Sequence, residues 1–398
     1  MSESEARRAV VLVVDACGAG ALPDAADYGD AGANTLAHLA EAVGGLELPV
    51  MGELGLGSIL ELPGVPPSED PGIYGRLAPL GPGKDSITGH WELMGVTLSK
   101  ALPTYPGGFP PQLVSRLEEA MGRKVICNRP DNGLAAIEEY GPEHMRSGAL
   151  ILYTSQDSVL QLAAHVERVS EEELYEACAR ARQVMSGPDS VGRVIARPFA
   201  GSEGEFVRTE GRRDLALAPP ARSYLQELDD SGVEVMAVGK VNDLFAGQGI
   251  TSAHPGSNNT QALESVEGLL SQGRPGLIFA NLIETDQIYG HRKDTAGFHG
   301  ALRQIDQAVG RILGALGRGD LLVVTADHGV DPAHPGTDHT REYAPLLAIT
   351  GEMAAAGSST GSRGGRRHDG PMADVGASVL HWLRDAQAEG LPGGSFIS

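Results

Sequence analysis

The segment LLVVTADHG, residues 321–329, decides the fold of this chain. Its first five residues are apolar or β-branched, which is typical of a strand buried on both faces in a parallel sheet. The strand pattern ends in Asp327 and His328, two side chains that can bind metal ions or move protons. Because ligands bind at the carboxyl ends of strands in open α/β sheets, the segment predicts both a sheet and the edge at which its site lies.

Similar strand patterns alternate with helical patterns along the chain. Further buried-strand candidates are residues 10–14, 150–153, 233–238 and 277–282. Helical candidates are residues 35–43, 171–185, 302–316 and 373–383. This alternation predicts the α/β class, with a doubly wound core sheet covered by helices on both sides.

Two of these strands also end in acidic residues. Residues 10–14 run into Asp15, and residues 277–282 run into Glu284 and Asp286. One sheet can therefore bring carboxylates from distant parts of the sequence together at the same edge.

The middle of the chain differs in composition and predicts an inserted domain. From about residue 102 to residue 222 it is rich in Pro, Gly, Glu and Arg, and it contains its own strand candidate at residues 193–197. We therefore expect a catalytic core made of residues 1–101 and 223–398, with a smaller α/β cap domain, residues 102–222, inserted between them.

The charge balance excludes several classes of partner. The 398 residues include 31 basic and 52 acidic side chains, which gives a net charge of -21. Such a chain is not expected to bind nucleic acid or an anionic membrane, and a phosphate ligand would need a locally positive site. The three cysteines are widely spaced, and the first apolar run is too short for a signal peptide or a membrane span. These features favour a cytoplasmic enzyme, and they indicate no particular oligomeric state.

Histidines and aspartates concentrate between residues 291 and 339, where five of the twelve histidines lie. Imidazole and carboxylate ligands without thiolates suit Mn, Zn, Fe or Mg. Six such ligands, counted together with Asp15, are too many for one tetrahedral ion. They suit a pair of metals about 3.5–4 Å apart, an arrangement that recurs in phosphoryl transfer. The alternative interpretation is a solvated polar loop with scattered histidines.

A hydroxyl nucleophile for such a centre is sought in GPGKDSITGHWELMG, residues 81–95. Ser86 and Thr88 offer the oxygen, and Lys84 and His90 add positive charge. Ser or Thr after Asp is also a common helix cap, so the residues alone leave the nucleophile open.

Taken together, these motifs resemble the phosphopentomutase family, a prokaryotic branch of the alkaline phosphatase superfamily. The resemblance extends from about residue 9 to the C-terminus. The matching segments are VVDACGAGALPDAADYGDAGANTLAHLAE at 13–41, GKDSITGHWELMG at 83–95, YTSQDSVLQLAAHVE at 153–167, VGRVIARPF at 191–199, GHRKD at 290–294 and TADHGVDPAHPGTDHTREYAPLL at 325–347.

The resemblance implies an alkaline-phosphatase-like core and two divalent metal ions, which are Mn²⁺ in the family pattern. It assigns one ion to Asp15, Asp327 and His328. It assigns the other to Asp286, His291 and His339. The family nucleophile, which bridges the metals, falls at Ser86, where the family pattern has threonine; Thr88 is the fallback.

The resemblance also assigns substrate contacts to the cap domain. The matching residues are Asp157, Arg193, Ile195 and Arg208. Arginine offers planar bidentate donors to phosphate, although a surface ion pair is the alternative role for Arg193. Two further departures from the family pattern are Cys17, where serine is usual, and Arg213, where histidine is common.

The activity implied is the interconversion of ribose or 2-deoxyribose 1-phosphate with the 5-phosphate. It would proceed through a phosphoenzyme at Ser86 and a sugar bisphosphate that also serves as activator. Alternatives are a mutase of the same family for another sugar phosphate in a specialised pathway, a phosphomonoester hydrolase, and a non-catalytic sugar-phosphate binding protein.

Overall fold

The computed structural model describes residues 7–155, 158–358 and 361–397. Its internal contacts divide the chain into two compact units. We call Met1–Lys100 with Pro219–Ser398 the core unit, and Ala101–Ala218 the inserted unit. That the second unit acts as a substrate-binding cap stays a prediction.

The secondary structure alternates throughout both units. The strands are β1 (Arg8–Val14), β2 (Ile73–Ala78), β3 (Val125–Pro130), β4 (Leu150–Thr154), β5 (Val159–His165), β6 (Arg193–Ala200), β7 (Val207–Arg208), β8 (Arg213–Ala216), β9 (Val235–Val238), β10 (Ser252–His254), β11 (Gly276–Leu282), β12 (Asp320–Thr325), β13 (Ala344–Thr350) and β14 (Gly370–Pro371). The α-helices are α1 (Thr35–Val43), α2 (Pro49–Leu54), α3 (Leu56–Ile59), α4 (Ser86–Leu93), α5 (Pro111–Met121), α6 (Gly133–Ser147), α7 (Glu171–Val184), α8 (Tyr224–Asp230), α9 (Val241–Leu244), α10 (Asn259–Ser271), α11 (Thr295–Ala315), α12 (Gly351–Ser358) and α13 (Asp374–Arg384). Short 3₁₀ turns lie at Ala25–Tyr28, Gly187–Asp189 and Gly290–Arg292, and a π-helical turn lies at Thr285–Tyr289.

Among the described residues, the core unit contains a mostly parallel sheet with the strand order β10-β9-β11-β1-β12-β13-β2-β14. Strands β10, β9, β11, β1 and β12 run parallel, whereas β13 is antiparallel to both of its neighbours. Every residue of β1, β11 and β12 is buried, as expected for strands covered on both faces. The predicted α/β class with a smaller second α/β unit is confirmed, and the antiparallel β13 is an addition that was not predicted.

The register of the central strands aligns their carboxyl ends. Val14 of β1 pairs with Leu282 of β11, and Val13 pairs with Thr325 of β12. The residues that follow these three strands therefore emerge at the same edge of the sheet, which is the edge that binds ligands in α/β folds.

Most predicted elements agree with the structure to within two residues. The clearest difference is α11, which was expected to begin at residue 302 and begins at Thr295. Its first turns contain Gly297 and Gly300, which weaken the helical pattern. They are helical because the Asp294 side chain caps the helix by accepting a hydrogen bond from the Gly297 amide at 2.9 Å.

The inserted unit contains its own sheet, with the order β3-β4-β5-β6-β7 and with β8 paired to β6. The predicted strand at residues 150–153 is β4 of this sheet. One face of this sheet is covered by helices α5 and α7. Leu117 of α5 and Leu174 of α7 belong to the same buried apolar cluster as Val194 and Ala196 of β6. Because side chains alternate along a strand, Arg193, Ile195 and Arg197 lie on the other face of β6.

A search for membrane spans found no helix in the described parts of the chain that is both long and apolar enough to cross a bilayer.

A buried ion pair joins the start of β1 to the start of β12. Arg8 Nε and Nη2 donate to the two carboxylate oxygens of Asp320 at 3.0 and 2.6 Å, and Arg8 Nη1 donates to the Leu270 carbonyl oxygen at 2.7 Å. Both charged residues are buried. Each charge depends on the other, because removal of one leaves its partner desolvated and uncompensated.

Replacing Asp320 by asparagine should lower the free energy of unfolding by about 3–5 kcal/mol, because the Arg8 guanidinium would stay buried without its counter-charge. Urea unfolding followed by tryptophan fluorescence reports on the core unit, since both tryptophans, Trp91 and Trp382, belong to it. The double variant Arg8→Met, Asp320→Leu removes both charges and should lose less stability. An unchanged urea midpoint for Asp320→Asn would contradict this expectation.

Candidate metal centre

Asp15, Asp286 and Asp327 meet at the carboxyl edge of the core sheet. Asp15 follows β1, Asp286 lies in the π-helical turn after β11, and Asp327 follows β12 by two residues. The buried side chains form two groups of three, and within each group the potential ligand atoms lie within 4.8 Å of one another. One group is Asp15, Asp327 and His328, and the other is Asp286, His328 and His339. Five of the six predicted metal ligands are thus brought together in these two groups.

Backbone and side-chain hydrogen bonds fix the orientation of the first group. One oxygen of Asp327, Oδ1, accepts from the amides of Ala16 and His328, each at 3.0 Å. Asn281 Nδ2 donates to Asp15 Oδ2 at 3.1 Å, and the Thr285 hydroxyl donates to the Asp15 carbonyl oxygen at 2.6 Å. The second oxygen, Asp327 Oδ2, makes no hydrogen bond among the described residues and lies 3.2 Å from His90 Nδ1 and 3.5 Å from His328 Nε2.

Several ligand atoms of the centre are buried without a hydrogen-bond partner among the described residues. They are Asp286 Oδ1, Asp327 Oδ2 and His339 Nε2. Buried polar atoms without a partner are rare and costly. A cation would satisfy two carboxylate oxygens and one imidazole nitrogen at the same time, so this donor set fits a divalent metal ion.

His291 lies beside this centre, at its more exposed side. Its Nε2 is 3.3 Å from Asp286 Oδ1, and its Nδ1–H donates to the Thr337 carbonyl oxygen at 2.6 Å. That hydrogen bond directs the Nε2 lone pair toward Asp286, as an outer hydrogen bond commonly does for a metal-binding histidine. His328 belongs to both compact groups, whereas His291 belongs to neither, and the division of the six ligands between two ions stays a prediction.

The charges of the centre support one another. Burial disfavours the ionised form of Asp327, but His328 and His90 outweigh it and lower the Asp327 pKa to about 2. Burial likewise opposes protonation of His328, yet Asp327 and Asp15 raise its pKa well above the usual value. Burial and the negative charge of Asp15 both act to raise the pKa of Asp286. The neighbouring His339 and His328 outweigh them, so the Asp286 pKa is lowered overall. Asp286 and Asp327 are therefore held as anions, and a metal ion has to displace a proton from His328 in order to bind.

Ser86 places its hydroxyl at the first group. The residue opens α4, directly after the capping residue Asp85. Its Oγ donates to Asp15 Oδ1 at 3.4 Å and lies 3.2 Å from His328 Nε2. A hydroxyl among metal-binding atoms is the arrangement expected of a nucleophile that a metal activates.

Thr88, the fallback nucleophile, is occupied elsewhere. Asp85 and Thr88 form a capping box, in which Asp85 Oδ1 accepts from the Thr88 amide at 3.1 Å. The Thr88 hydroxyl donates to Asp85 Oδ2 at 2.8 Å. This residue therefore stabilises the start of α4, and its hydroxyl has a local function.

Asn281 contacts the centre and was not predicted to do so, whereas His90 was expected to add positive charge beside the nucleophile candidates. The position of Asn281, a polar residue inside the buried run GLIFANL, is a signal that could have revealed it. His90 Nδ1–H donates to the Ser86 carbonyl oxygen at 2.8 Å and lies 3.2 Å from Asp327 Oδ2. Glu284, by contrast, was expected at this edge, but its carboxylate accepts from the Asn259 amide at the start of α10.

Cys17 lies two residues after Asp15 and is buried. Burial, together with the negative charges of Glu342 and Asp327, raises the pKa of its thiol far above the usual value. Cys17, Cys127 and Cys178 are all free.

In the inserted unit, the predicted substrate residues lie near a group of arginines. Arg193 Nη1 is 3.8 Å from Asp214 Oδ2, and Ile195 is buried between β5 and β8. Arg208 lies on the short, exposed strand β7. The predicted Asp157 lies outside the described residues.

Two further arginines belong to this group. Arg197 Nε donates to Gln161 Oε1 at 3.1 Å, and burial, together with Arg212 and Arg208, lowers its pKa. Arg212 donates through Nε and Nη2 to both oxygens of Asp214, each at 2.7 Å. These arginines therefore place positive charge at one locality of a chain that is acidic as a whole, which is the local condition that binding a phosphate requires.

Comparisons with known proteins agree with a metal centre. A family model described as Metalloenzyme superfamily matches residues 7–385. A phosphopentomutase from Dictyoglomus turgidum is 49% identical over 345 residues, which cover 86% of this chain and 88% of the relative. A phosphopentomutase from Symbiobacterium thermophilum is 48% identical over 380 residues, 95% of each chain. A phosphopentomutase from Desulfitobacterium hafniense is 44% identical over 378 residues, 95% of this chain and 96% of the relative.

Solved structures with a similar arrangement are more distant. A phosphoglycerate mutase from Leishmania mexicana has a TM-score of 0.46 at 12% identity, covering 99% of this chain and 98% of that one. An alkaline phosphatase from the Antarctic bacterium TAB5 has a TM-score of 0.35 at 11% identity, covering 96% of this chain and 98% of that one.

A substitution at Gly89 can test whether the close approach of α4 to Asp327 shapes the metal centre. A Cβ atom at this position would lie 2.7 Å from the Asp327 Cβ, so alanine has to push the helix and Asp327 apart. We expect Gly89→Ala to weaken Mn²⁺ binding roughly 10- to 100-fold, the effect usual for residues that orient metal ligands. Isothermal titration calorimetry measures the affinity.

Gly300 of α11 is the matched control, because a Cβ there meets no atom within 4 Å. Gly300→Ala should bind Mn²⁺ as the unmodified chain does. Equal affinities for the two variants would show that the contact between Gly89 and Asp327 does not shape the centre.

Proposed function

This chain belongs to the phosphopentomutase family, and from that premise we propose that it interconverts the 1-phosphate and the 5-phosphate of ribose or 2-deoxyribose. It is an isomerase that works by phosphoryl transfer. The family membership rests on relatives that are 44–49% identical over most of the chain.

One observation supports this activity above the others. A single serine hydroxyl, Ser86 Oγ, lies within 3.4 Å of both Asp15 and His328, next to buried ligand atoms that lack a partner among the described residues. A mutase needs a nucleophile of this kind, which can accept a phosphoryl group and return it.

We assign two divalent metal ions, Mn²⁺ by family, to the centre. Asp15, Asp327 and His328 would hold one ion, and the remaining predicted ligands, Asp286, His291 and His339, would hold the other. When bound, such ions lower the pKa of a nearby hydroxyl and neutralise charge on phosphoryl oxygens. Without them the substrate phosphate would face a group of carboxylates.

The residues of the chain hold the nucleophile in place. Asp85 caps α4, so the first turn of the helix presents the Ser86 oxygen in a fixed direction. The positive end of the helix dipole favours the dianion that forms when Ser86 carries a phosphoryl group, while the Ile87 and Thr88 amides stay bound to Asp85.

The proposed cycle conserves the phosphoryl groups. Phosphorylated Ser86 donates its group to the free hydroxyl of the pentose monophosphate, which breaks the serine Oγ–P bond and gives a pentose 1,5-bisphosphate. The bisphosphate then reorients, and Ser86 Oγ attacks its other phosphorus. The product monophosphate leaves, and Ser86 is phosphorylated again. A sugar bisphosphate therefore also serves as the activator that first loads the enzyme.

Substrate recognition is assigned to the inserted unit. Arg193 and Arg208 are the donors for the phosphate that is not being transferred, because guanidinium groups offer two parallel hydrogen bonds to phosphate oxygens. Asp157 and Ile195 are assigned to the ribose. The Asp157 carboxylate would accept hydrogen bonds from the ribose hydroxyls, and Ile195 would make apolar contact with the ring. We also infer a cytoplasmic location, because the three free cysteines fit a reducing compartment.

Substrate preference and phosphate release test the activity. We expect kcat/KM for ribose 1-phosphate and 2-deoxyribose 1-phosphate to exceed that for arabinose 1-phosphate and glucose 1-phosphate by at least about tenfold, equivalent to 1.4 kcal/mol of transition-state binding. The 5-phosphate product is followed in a coupled assay.

Inorganic phosphate is measured in the same reactions. A mutase should release almost none, whereas a phosphomonoester hydrolase would release it in step with substrate loss. No preference for a pentose would favour a specialised mutase instead.

Substitution of the nucleophile provides the second test. Ser86→Ala should abolish turnover and leave metal content unchanged, because the ligand side chains stay in place. Incubation with an α-sugar bisphosphate followed by peptide mapping should locate a phosphate on Ser86 in the unmodified chain. Thr88→Ala is the control, and it should remain phosphorylated at Ser86. An active Ser86→Ala with an inactive Thr88→Ala would move the nucleophile by two residues.

A further inference from the structure

The segment that precedes Ser86 is a glycine-rich turn held by groups from other parts of the core unit. It reads LGPGKD, residues 80–85. The amides of Leu80 and Gly81 donate to the buried carboxylate of Glu92 at 3.0 and 2.7 Å. Its two glycines give the turn little conformational preference of its own, so its orientation depends on outside contacts.

Arg341 provides the most direct of these contacts. Its Nη1 donates to the Gly83 carbonyl oxygen at 2.7 Å, three residues before Ser86. Its Nη2 donates to Asp24 Oδ2 at 3.0 Å, and only 5% of the residue is exposed. The planar guanidinium can bind a carboxylate along one edge and a carbonyl oxygen with another donor, which an ammonium group cannot do with the same geometry.

Tyr28 and Asp30 extend the network. The Tyr28 hydroxyl donates to the Pro82 carbonyl oxygen at 3.0 Å, and the Arg341 guanidinium lies 5.0 Å from the Tyr28 ring centre. Asp30 Oδ2 accepts from Lys84 Nζ and from the Arg341 amide, each at 2.9 Å. Three consecutive residues of the turn, 82–84, are thus fixed by one connected group of side chains.

Arg341 also belongs to the segment that carries a predicted metal ligand. His339 precedes it by two residues, and the backbone of Arg341 is anchored on both sides. Its amide donates to Asp30, and its carbonyl oxygen accepts from the Leu22 amide at 3.1 Å. Arg341 therefore joins the backbone of the segment 339–341, which we call the metal-ligand loop, to the backbone of the turn 80–85, which we call the nucleophile loop.

We propose that Arg341 is a positioning residue for phosphoryl transfer: through the Gly83 carbonyl oxygen it sets the place of Ser86 relative to the metal ligands. The inference rests on the proposed function, since it concerns the nucleophile of that reaction. Among the described residues, the Arg341 side chain makes no hydrogen bond with Ser86 or with a predicted metal ligand, and Tyr28 supports the same turn through the Pro82 carbonyl oxygen. Small displacements of a nucleophile are costly, because about 1 Å can reduce the rate 100-fold.

The test compares Arg341→Met, Arg341→Lys and Tyr28→Phe in the full-length, Mn²⁺-loaded protein. We expect Arg341→Met to lower kcat about 10- to 100-fold while KM changes less than about threefold, because positioning acts on the transition state and not on substrate binding. Arg341→Lys should recover part of the loss, since an ammonium group can still donate to Gly83. Tyr28→Phe should give a smaller loss.

Arg363→Met is the matched control. Arg363 is a largely buried arginine of the same unit, and its side chain donates to the Asp70 carbonyl oxygen at 2.9 Å. It makes no contact with the nucleophile loop among the described residues. Its variant should keep kcat and KM.

A second measurement does not depend on activity. Hydrogen–deuterium exchange of the peptide spanning residues 80–86 should become faster in Arg341→Met and in Tyr28→Phe, and it should stay unchanged in Arg363→Met. Unchanged kcat and unchanged exchange in Arg341→Met would overturn the proposal. Loss of bound Mn²⁺ would also overturn it, because the arginine would then act on the metal-ligand loop. If Arg341→Met does not fold, Arg341→Lys and Tyr28→Phe decide by the same two measurements.

Failure of the proposed function would look different. In that case the unmodified protein would neither isomerise pentose phosphates nor carry phosphate on Ser86. The exchange comparison would still show whether Arg341 holds the loop.

Discussion

The parallel pairing of β1 with β11 and β12 is the constraint on which the rest of the molecule depends. Three carboxylates that are far apart in the sequence become neighbours because their strands end at the same level. Asp15 and Asp327 need no long loop to reach the centre, and this keeps their orientation precise. The buried apolar strands contribute the stability that holds these like charges together.

The centre shows how a fold tolerates buried charge. Asp327 is oriented through one oxygen, Oδ1, which accepts from two amides, and its Oδ2 makes no hydrogen bond in the described structure. Protonated His328 compensates part of this charge. The serine at the start of α4 shares these neighbours, so the proposed nucleophile and the predicted ligands form one electrostatic unit.

The sequence predicted the sheet, its ligand edge and the carboxylates at that edge, because strand periodicity and the residues after each strand are local signals. It failed where the outcome depends on tertiary contacts. Glu284 follows a strand as Asp286 does, yet the π-helical turn after β11 directs Glu284 to the start of α10. Ser86 and Thr88 are equivalent by composition, and only the capping box separates them. The contact of Arg341 with Gly83 spans 258 residues and leaves no local pattern.

The burial of Cys17 has a consequence for its reactivity. The residue lies two positions after Asp15, yet it lines an apolar cavity together with Leu36, Leu48 and Met51. Burial, together with nearby negative charge, raises the pKa of the thiol and so disfavours the thiolate, which is the form that reacts with peroxides. The fold can therefore fill a core position with cysteine, next to Asp15 in the sequence, without adding a site of oxidative damage.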